Sequence, residues 1–301
     1  MKRNLIALLS ALVSLVSGPP AARAAEPLPA STFAYDAAAP LDLRDESPPQ
    51  KRGDVTVRDV SFAATTAGER TRAYLVVPKD ALQSSGALWV HWLGDKSSNR
   101  DEFVADAVEL AQSGTVSLLV DAQWSAKGWF KTRTTDTDFD ASIRQVKDLR
   151  RALDVLLAQN GVDAERVAYI GHDFGGMYGS ILAGIDPRPR VLVILAVTTK
   201  LSDWFLLGKQ PASKADYVAK MASIEPLPYL SRARPRAVFF QFAKKDEYVT
   251  QAHADEYVAA ARPTSPAPAD KKVTRYDADH DLDVPPAHSD RITWLRSKLS
   301  Q

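Results

Sequence analysis

The 301-residue chain contains no cysteine. This excludes a disulfide framework, a thiolate metal site and a lipid attached through a leader cysteine. An excess of either charge is also missing: 38 Lys and Arg face 37 Asp and Glu, a net +1. A chain so near neutrality offers no electrostatic footprint for nucleic acid or a membrane surface, and neither is expected as a partner. Internal repeats are lacking, and beyond residue 24 no apolar run is long enough to cross a bilayer. What is present is ordinary for a globular protein, with 45% hydrophobic and 25% charged residues. The length suffices for one large α/β domain with a well-buried core.

Residues 1–24 read as a secretory signal. Lys2 and Arg3 form a charged start, residues 5–16 an apolar stretch, and Ala22-Arg23-Ala24 an A-x-A cleavage site. Gly18-Pro19-Pro20 ends the apolar stretch before it reaches a membrane-spanning length. The mature protein is expected to be exported, periplasmic or secreted, and to begin at Ala25. Without Lys2, Arg3 and Arg23 it carries 35 basic residues against 37 acidic, a net −2. Residues 25–52 are rich in Ala, Pro and charge and read as a flexible lead-in. Residues 53–301 read as a single domain.

Within that domain, residues 55–63 and 71–77 alternate like antiparallel edge strands. Short apolar runs at 87–91, 116–120, 167–170, 191–197, 237–242 and 273–276 read as buried strands. Helical spacing appears over 103–111, over 143–157 (Ile143, Val146, Leu149, Leu153, Leu156, Leu157) and over 292–299. Strand and helix in alternation imply a mostly parallel sheet with helices on both faces. Ligands of such sheets lie beyond the carboxyl ends of the strands. Residues 264–270 read as a Pro/Ala-rich surface loop.

Three of those strand ends carry chemistry. Gly171-His172-Asp173-Phe174-Gly175-Gly176 follows the strand at 167–170. It is a G-x-nucleophile-x-G elbow with aspartate in the nucleophile position, and a helix is expected over 175–184. Asp246 follows the strand at 237–242, with Glu247 and Asp255 as less well placed rivals. His280 follows the final strand. The order nucleophile, acid, histidine is the one such elbows use. His280 is expected to lie within hydrogen-bond reach of Asp173, directly or through one water, with Asp246 on its other ring nitrogen. Of the other histidines, His172 should point away from the site and His91 shape a loop. His253 and His288 should lie on helix surfaces.

An oxyanion hole is expected from the Phe174 amide and from Trp92 or Leu93 in the loop His91-Trp92-Leu93-Gly94-Asp95. Trp92, Phe174 and Trp124 are expected to wall a small, apolar substrate pocket, with Trp129 also near. A small-molecule substrate follows from that. No metal or organic cofactor is required, and nothing in the sequence speaks to oligomeric state.

Residues 53–299 resemble the α/β-hydrolase superfamily through GHDFGG, KKDEYV, DADH and HWLGD. Within it they look most like the branch of dienelactone hydrolases and acetyl-xylan-esterase-like enzymes, which implies ester or lactone hydrolysis in a fold with little or no cap. The aspartate departs from the serine or cysteine of that branch and matches haloalkane dehalogenases and epoxide hydrolases. Those carry a large cap, for which residues 198–236 are short, although Tyr217 and Tyr229 lie there. Phe174 stands where an indole would help hold a halide.

A carboxylate attacks saturated carbon well, forming an ordinary ester, and ester carbonyls poorly, because the product is an anhydride. The reading that follows from Asp173 is therefore an aspartyl-ester intermediate of the dehalogenase or epoxide-hydrolase kind. His280 would activate water against it and Asp246 would orient the imidazole. An ester or lactone hydrolase in which Asp173, or else His280, acts as general base for direct water attack is one alternative. A non-catalytic binding protein on the same fold is another.

Overall fold

The computed structural model describes residues 25–93, 99–264 and 270–301. The expected signal peptide, Gly94 and Asp95 of the HWLGD loop, and most of the 264–270 loop lie outside these residues. The described chain forms strands β1 (Arg44–Asp45), β2 (Gln50–Arg52), β3 (Val55–Ala63), β4 (Arg70–Pro78) and β5 (Ser84–Val90), then helix α1 (Val104–Ala111) and β6 (Thr115–Val120). Next come α2 (Trp129–Thr132), α3 (Asp138–Leu157), β7 (Val162–His172), α4 (Phe174–Ile185), β8 (Val191–Leu195), α5 (Leu201–Phe205), α6 (Lys214–Met221) and α7 (Pro226–Arg232). The chain closes with β9 (Ala237–Ala243), α8 (Gln251–Ala260), β10 (Lys271–Tyr276) and α9 (Pro285–Leu299). No described helix is long and apolar enough to cross a membrane.

The strands join one sheet in the order β1-β3-β4-β6-β5-β7-β8-β9-β10, with β2 also on β3. From β6 to β10 every neighbouring pair is parallel, while β3 and β4 pair antiparallel. The expected fold class therefore holds: a mostly parallel sheet covered on both faces. Alternation along β5 shows how. Leu88 and Val90 enter the core under α3 and α4, whereas Ala87 and Trp89 enter the core under α1 and α9.

Residues 25–52 correct the expectation of a flexible lead-in. Phe33 is fully buried, its ring edge-on to Tyr229 at 6.1 Å. Arg150 on α3 donates to the Phe33 carbonyl, and Arg151 donates to the carbonyls of Ala39 and Pro40. β1 and β2 both pair with β3, so β3 is not an edge. The segment has little periodicity because arginines of a distant helix hold its backbone, and sequence pattern does not report such contacts.

The segment between β8 and β9 holds α5, α6 and α7. Helix α7 lies so close to α4 that a Cβ at Gly184 would come within 2.6 Å of the Tyr229 carbonyl oxygen. α7 is therefore part of the main domain's packing rather than a separate cap, and α5 is left to lean over the carboxyl ends of the strands.

Candidate active site

The elbow is built by close approach. A Cβ at Gly171 would meet the Gly175 carbonyl oxygen at 2.4 Å, and one at Gly175 would meet the Val90 carbonyl oxygen at 2.2 Å. Only glycine fits either position. Asp173 between them takes φ 50° and ψ −116° at the start of α4. A non-glycine residue in that region is strained, and strain of this kind concentrates at functional sites. The Asp173 amide donates to the Leu195 carbonyl, anchoring the turn to β8.

The Asp173 carboxyl is fully buried. The Leu93 amide donates to its Oδ2 at 3.2 Å, and the Phe174 amide also bonds the carboxylate. Burial nevertheless dominates and pushes its pKa up to about 7, against the His280 charge and these two amides. Asp246, beyond β9, lies on Nδ1 of His280 at 3.0 and 2.9 Å. Burial opposes the Asp246 anion too, but the hydrogen bond and charge of His280 and the amides of Val249 and Tyr248 outweigh it, holding that carboxyl below its ordinary value. The rivals are elsewhere: Asp255 pairs with Arg275, and Glu247 lies exposed at the cavity described below.

The sequence-predicted trio thus converges, but Asp173 and His280 share no hydrogen bond. Asp173 Oδ1 and His280 Nε2 are both buried without a hydrogen-bond partner among the described residues. His280 lines a cavity of about 710 Å³, within the usual range for small-molecule sites, whereas Asp173 does not. The walls are Trp92, Trp124, Trp129, Phe130, Trp204 and Tyr248, with exposed Lys127, Lys131, Lys245, Glu247 and Asp279 around them.

Two expectations are corrected. Phe174 does not line the cavity; it is fully buried beneath it, packed on Trp124 at 5.3 Å and Phe205 at 5.4 Å. The start of α4 turns that side chain into the core while its amide faces Asp173. The Trp92 amide is not free for an oxyanion, because it donates to Oε2 of Glu102 at 2.9 Å. Of the two loop candidates only Leu93 aims its N–H at the elbow.

His172 points away from the cavity, with Nδ1 on Glu102 and Nε2 on the His280 carbonyl. His91 is buried and bonds Ser125 and the Trp92 carbonyl. His253 contacts Thr198. His288 departs from a plain surface position, since it bridges Asp106 and Asp283. Trp204, Tyr248 and Glu102 were not legible as site residues. Trp204 and Tyr248 meet in a tilted contact at 5.1 Å, and each approaches the His280 ring, at 5.5 and 5.2 Å. The aromatic in the segment after β8 was the one available signal for Trp204; Glu102 sits in a turn with no motif. No group of three or more metal-ligating side chains occurs among the described residues.

No family model matches the sequence, and no curated protein matches it. Solved structures do. Acetyl xylan esterase 1 from a Thermoanaerobacterium species superposes with a TM-score of 0.73 at 15% identity, over 92% of this chain and 96% of that one. An acetyl xylan esterase from a Paenibacillus species gives 0.69 at 14%, over 89% and 92%. An S-formylglutathione hydrolase from Agrobacterium tumefaciens gives 0.63 at 13%, over 85% and 100%. At such identities the likeness is one of architecture, and with the elbow, the strand order and the strand-end residues it establishes that this chain has the α/β-hydrolase fold.

Proposed function

We propose that the protein is a hydrolase of small esters or lactones in which His280 activates water. The observation that carries this is the division of the trio. His280 reaches the cavity with Nε2 unpartnered and Nδ1 held by Asp246, while Asp173 is sealed beneath. An imidazole so oriented takes a proton from water as the water attacks the carbonyl carbon, and Asp246 stabilises the resulting imidazolium. The tetrahedral intermediate collapses with expulsion of the alcohol, which recovers the proton from His280. Asp173, with its pKa near 7, contributes as the neutral acid. Oδ2 keeps the Leu93 amide, and once the carboxyl opens toward the cavity an O–H on Oδ1 donates to the developing oxyanion. The likeness to esterases supports the same reaction class, and the aromatic walls suit a small substrate with an apolar body.

A second reading is favoured by one contact. Because Oδ2 already occupies the Leu93 amide, an ionised Asp173 has its other oxygen free to attack saturated carbon. The ester so formed would have its carbonyl oxygen in place for water attack. This is the aspartyl-ester reading; it needs the sealed carboxylate to open far enough for Oδ1 to reach a substrate carbon in the cavity.

A single turnover with excess enzyme in isotopically heavy water separates the two. Direct water attack on p-nitrophenyl acetate puts heavy oxygen into the acetate and leaves Asp173 unlabelled. The aspartyl route, run on haloalkane and epoxide panels, gives unlabelled alcohol and a labelled Asp173 peptide. Turnover of none of these panels would favour a binding protein. Export with cleavage after Ala24 is part of the proposal, resting on the charged start, apolar stretch and A-x-A site. Mass spectrometry of the periplasmic or secreted protein tests it, and an intact Met1 in membrane fractions would overturn it.

A further inference from the structure

Behind the trio, the hydrogen bonds of His172 do not balance for a neutral ring beside an ionised Glu102. Nδ1 lies 2.7 Å from Oε1 of Glu102, and Nε2 lies 3.0 Å from the carbonyl oxygen of His280. Both partners are acceptors when Glu102 is ionised, and a neutral imidazole has one donor. The ring is fully buried, so an unbonded nitrogen would carry a desolvation penalty. It stacks on the Trp92 indole at 5.4 Å and 12°, an aromatic face that attracts a cationic ring. The other oxygen of Glu102 accepts the Trp92 amide. One carboxylate therefore holds the strand-end loop that supplies the Leu93 amide, and through His172 it holds the backbone of His280.

We propose that Glu102 and a doubly protonated His172 form a positioning clamp that sets the Leu93 amide and the His280 imidazole at their working separation. Glu102 touches neither substrate nor reacting atoms; it acts by fixing two groups that do. Fixing the Trp92 peptide directs the next amide, that of Leu93, at Asp173. Fixing the His280 carbonyl stops the histidine loop from drifting while its side chain pivots on Asp246. Two ties on one carboxylate make the loops move together or not at all.

The kinetic part rests on the proposed ester hydrolysis; the proton count does not, and the experiment keeps them apart. The first arm is nitrogen NMR of the histidine-labelled full chain at pH 7, with the His172 signals assigned by their loss in His172→Gln. Both ring nitrogens of His172 should carry protons. In Glu102→Gln the side-chain amide donates to Nδ1, so that nitrogen should lose its proton while Nε2 keeps its own. A wild-type His172 with one bare nitrogen overturns the clamp whatever the enzyme hydrolyses. The second arm is turnover of p-nitrophenyl acetate. Glu102→Ala should lower kcat by about 100-fold with KM within about threefold, and Glu102→Gln, which preserves both ties, should stay within about fivefold of the parent kcat. A Glu102→Ala variant with parental kcat, or a Glu102→Gln variant as impaired as Ala, overturns the positioning role. If the parent protein hydrolyses no ester, the proposed function fails and the NMR arm alone decides the clamp.

Discussion

The Leu93 amide donates to Asp173 Oδ2 at 3.2 Å, so the carboxyl group of the elbow occupies the amide that in this fold would hold a substrate oxyanion. Under the proposed ester hydrolysis the ionisation of Asp173 is what the pH dependence reads: as an acid it would donate to an oxyanion, and as an anion it would repel one.

The pH dependence of ester hydrolysis should show this. The Asp173 pKa lies near 7. If the neutral acid is the active form, kcat/KM for p-nitrophenyl acetate has a basic limb, falling as pH rises through about 7. Asp173→Asn keeps an acceptor for Leu93 and a neutral donor, so activity should survive and that limb should vanish. Under the aspartyl-ester reading the limb has the opposite sign, and the Asn variant is inactive.

Stability should respond to the same group. The folded pKa near 7 exceeds the ordinary 3.8, so between these values the folded state holds a proton that the unfolded state releases. The Asp173 contribution is most favourable below about pH 4, declines as pH rises to about 7, and is flat above that. Asp173→Asn removes the decline. Denaturant unfolding should find the variant and parent alike near pH 4, and the variant more stable at pH 8 by on the order of 2–4 kcal/mol.

His280→Ala should lower kcat on the ester by about 100- to 10,000-fold, with the thermal midpoint little changed. Asp246→Asn should reduce kcat within the same range, because the imidazole loses the carboxylate at Nδ1 that sets its tautomer. Steady-state kinetics on both variants checks this, and parental turnover in His280→Ala would remove the histidine from the mechanism.

The N-terminal segment should behave as part of the core. Phe33→Ala empties a fully buried ring site against Tyr229 and should destabilise the fold by about 3–5 kcal/mol. Urea unfolding monitored by circular dichroism measures it, and a loss under about 1 kcal/mol would return residues 25–52 to the status of a lead-in.

The sequence by itself determined what depends on neighbours along the chain. An unbroken apolar run marked residues 87–91 as a buried strand, and helical spacing marked residues 143–157. The glycines of the elbow announced a sharp turn between a strand and a helix. Chain order then carried Asp173, Asp246 and His280 to strand ends on the same edge of the sheet, because parallel strands all finish on one edge. Only the tertiary structure decided the rest. The choice between Trp92 and Leu93 as amide donor was made by Glu102, whose carboxylate claims the Trp92 N–H. The direction of Phe174 was set by Trp124 and Phe205, which draw its ring into the core. The burial that raises the Asp173 pKa, and the arginines on α3 that pin residues 33–40, come from segments remote in the chain. Hydrogen-bond direction, rotamer and desolvation belong to the packed neighbourhood, and a residue's sequence context does not encode them.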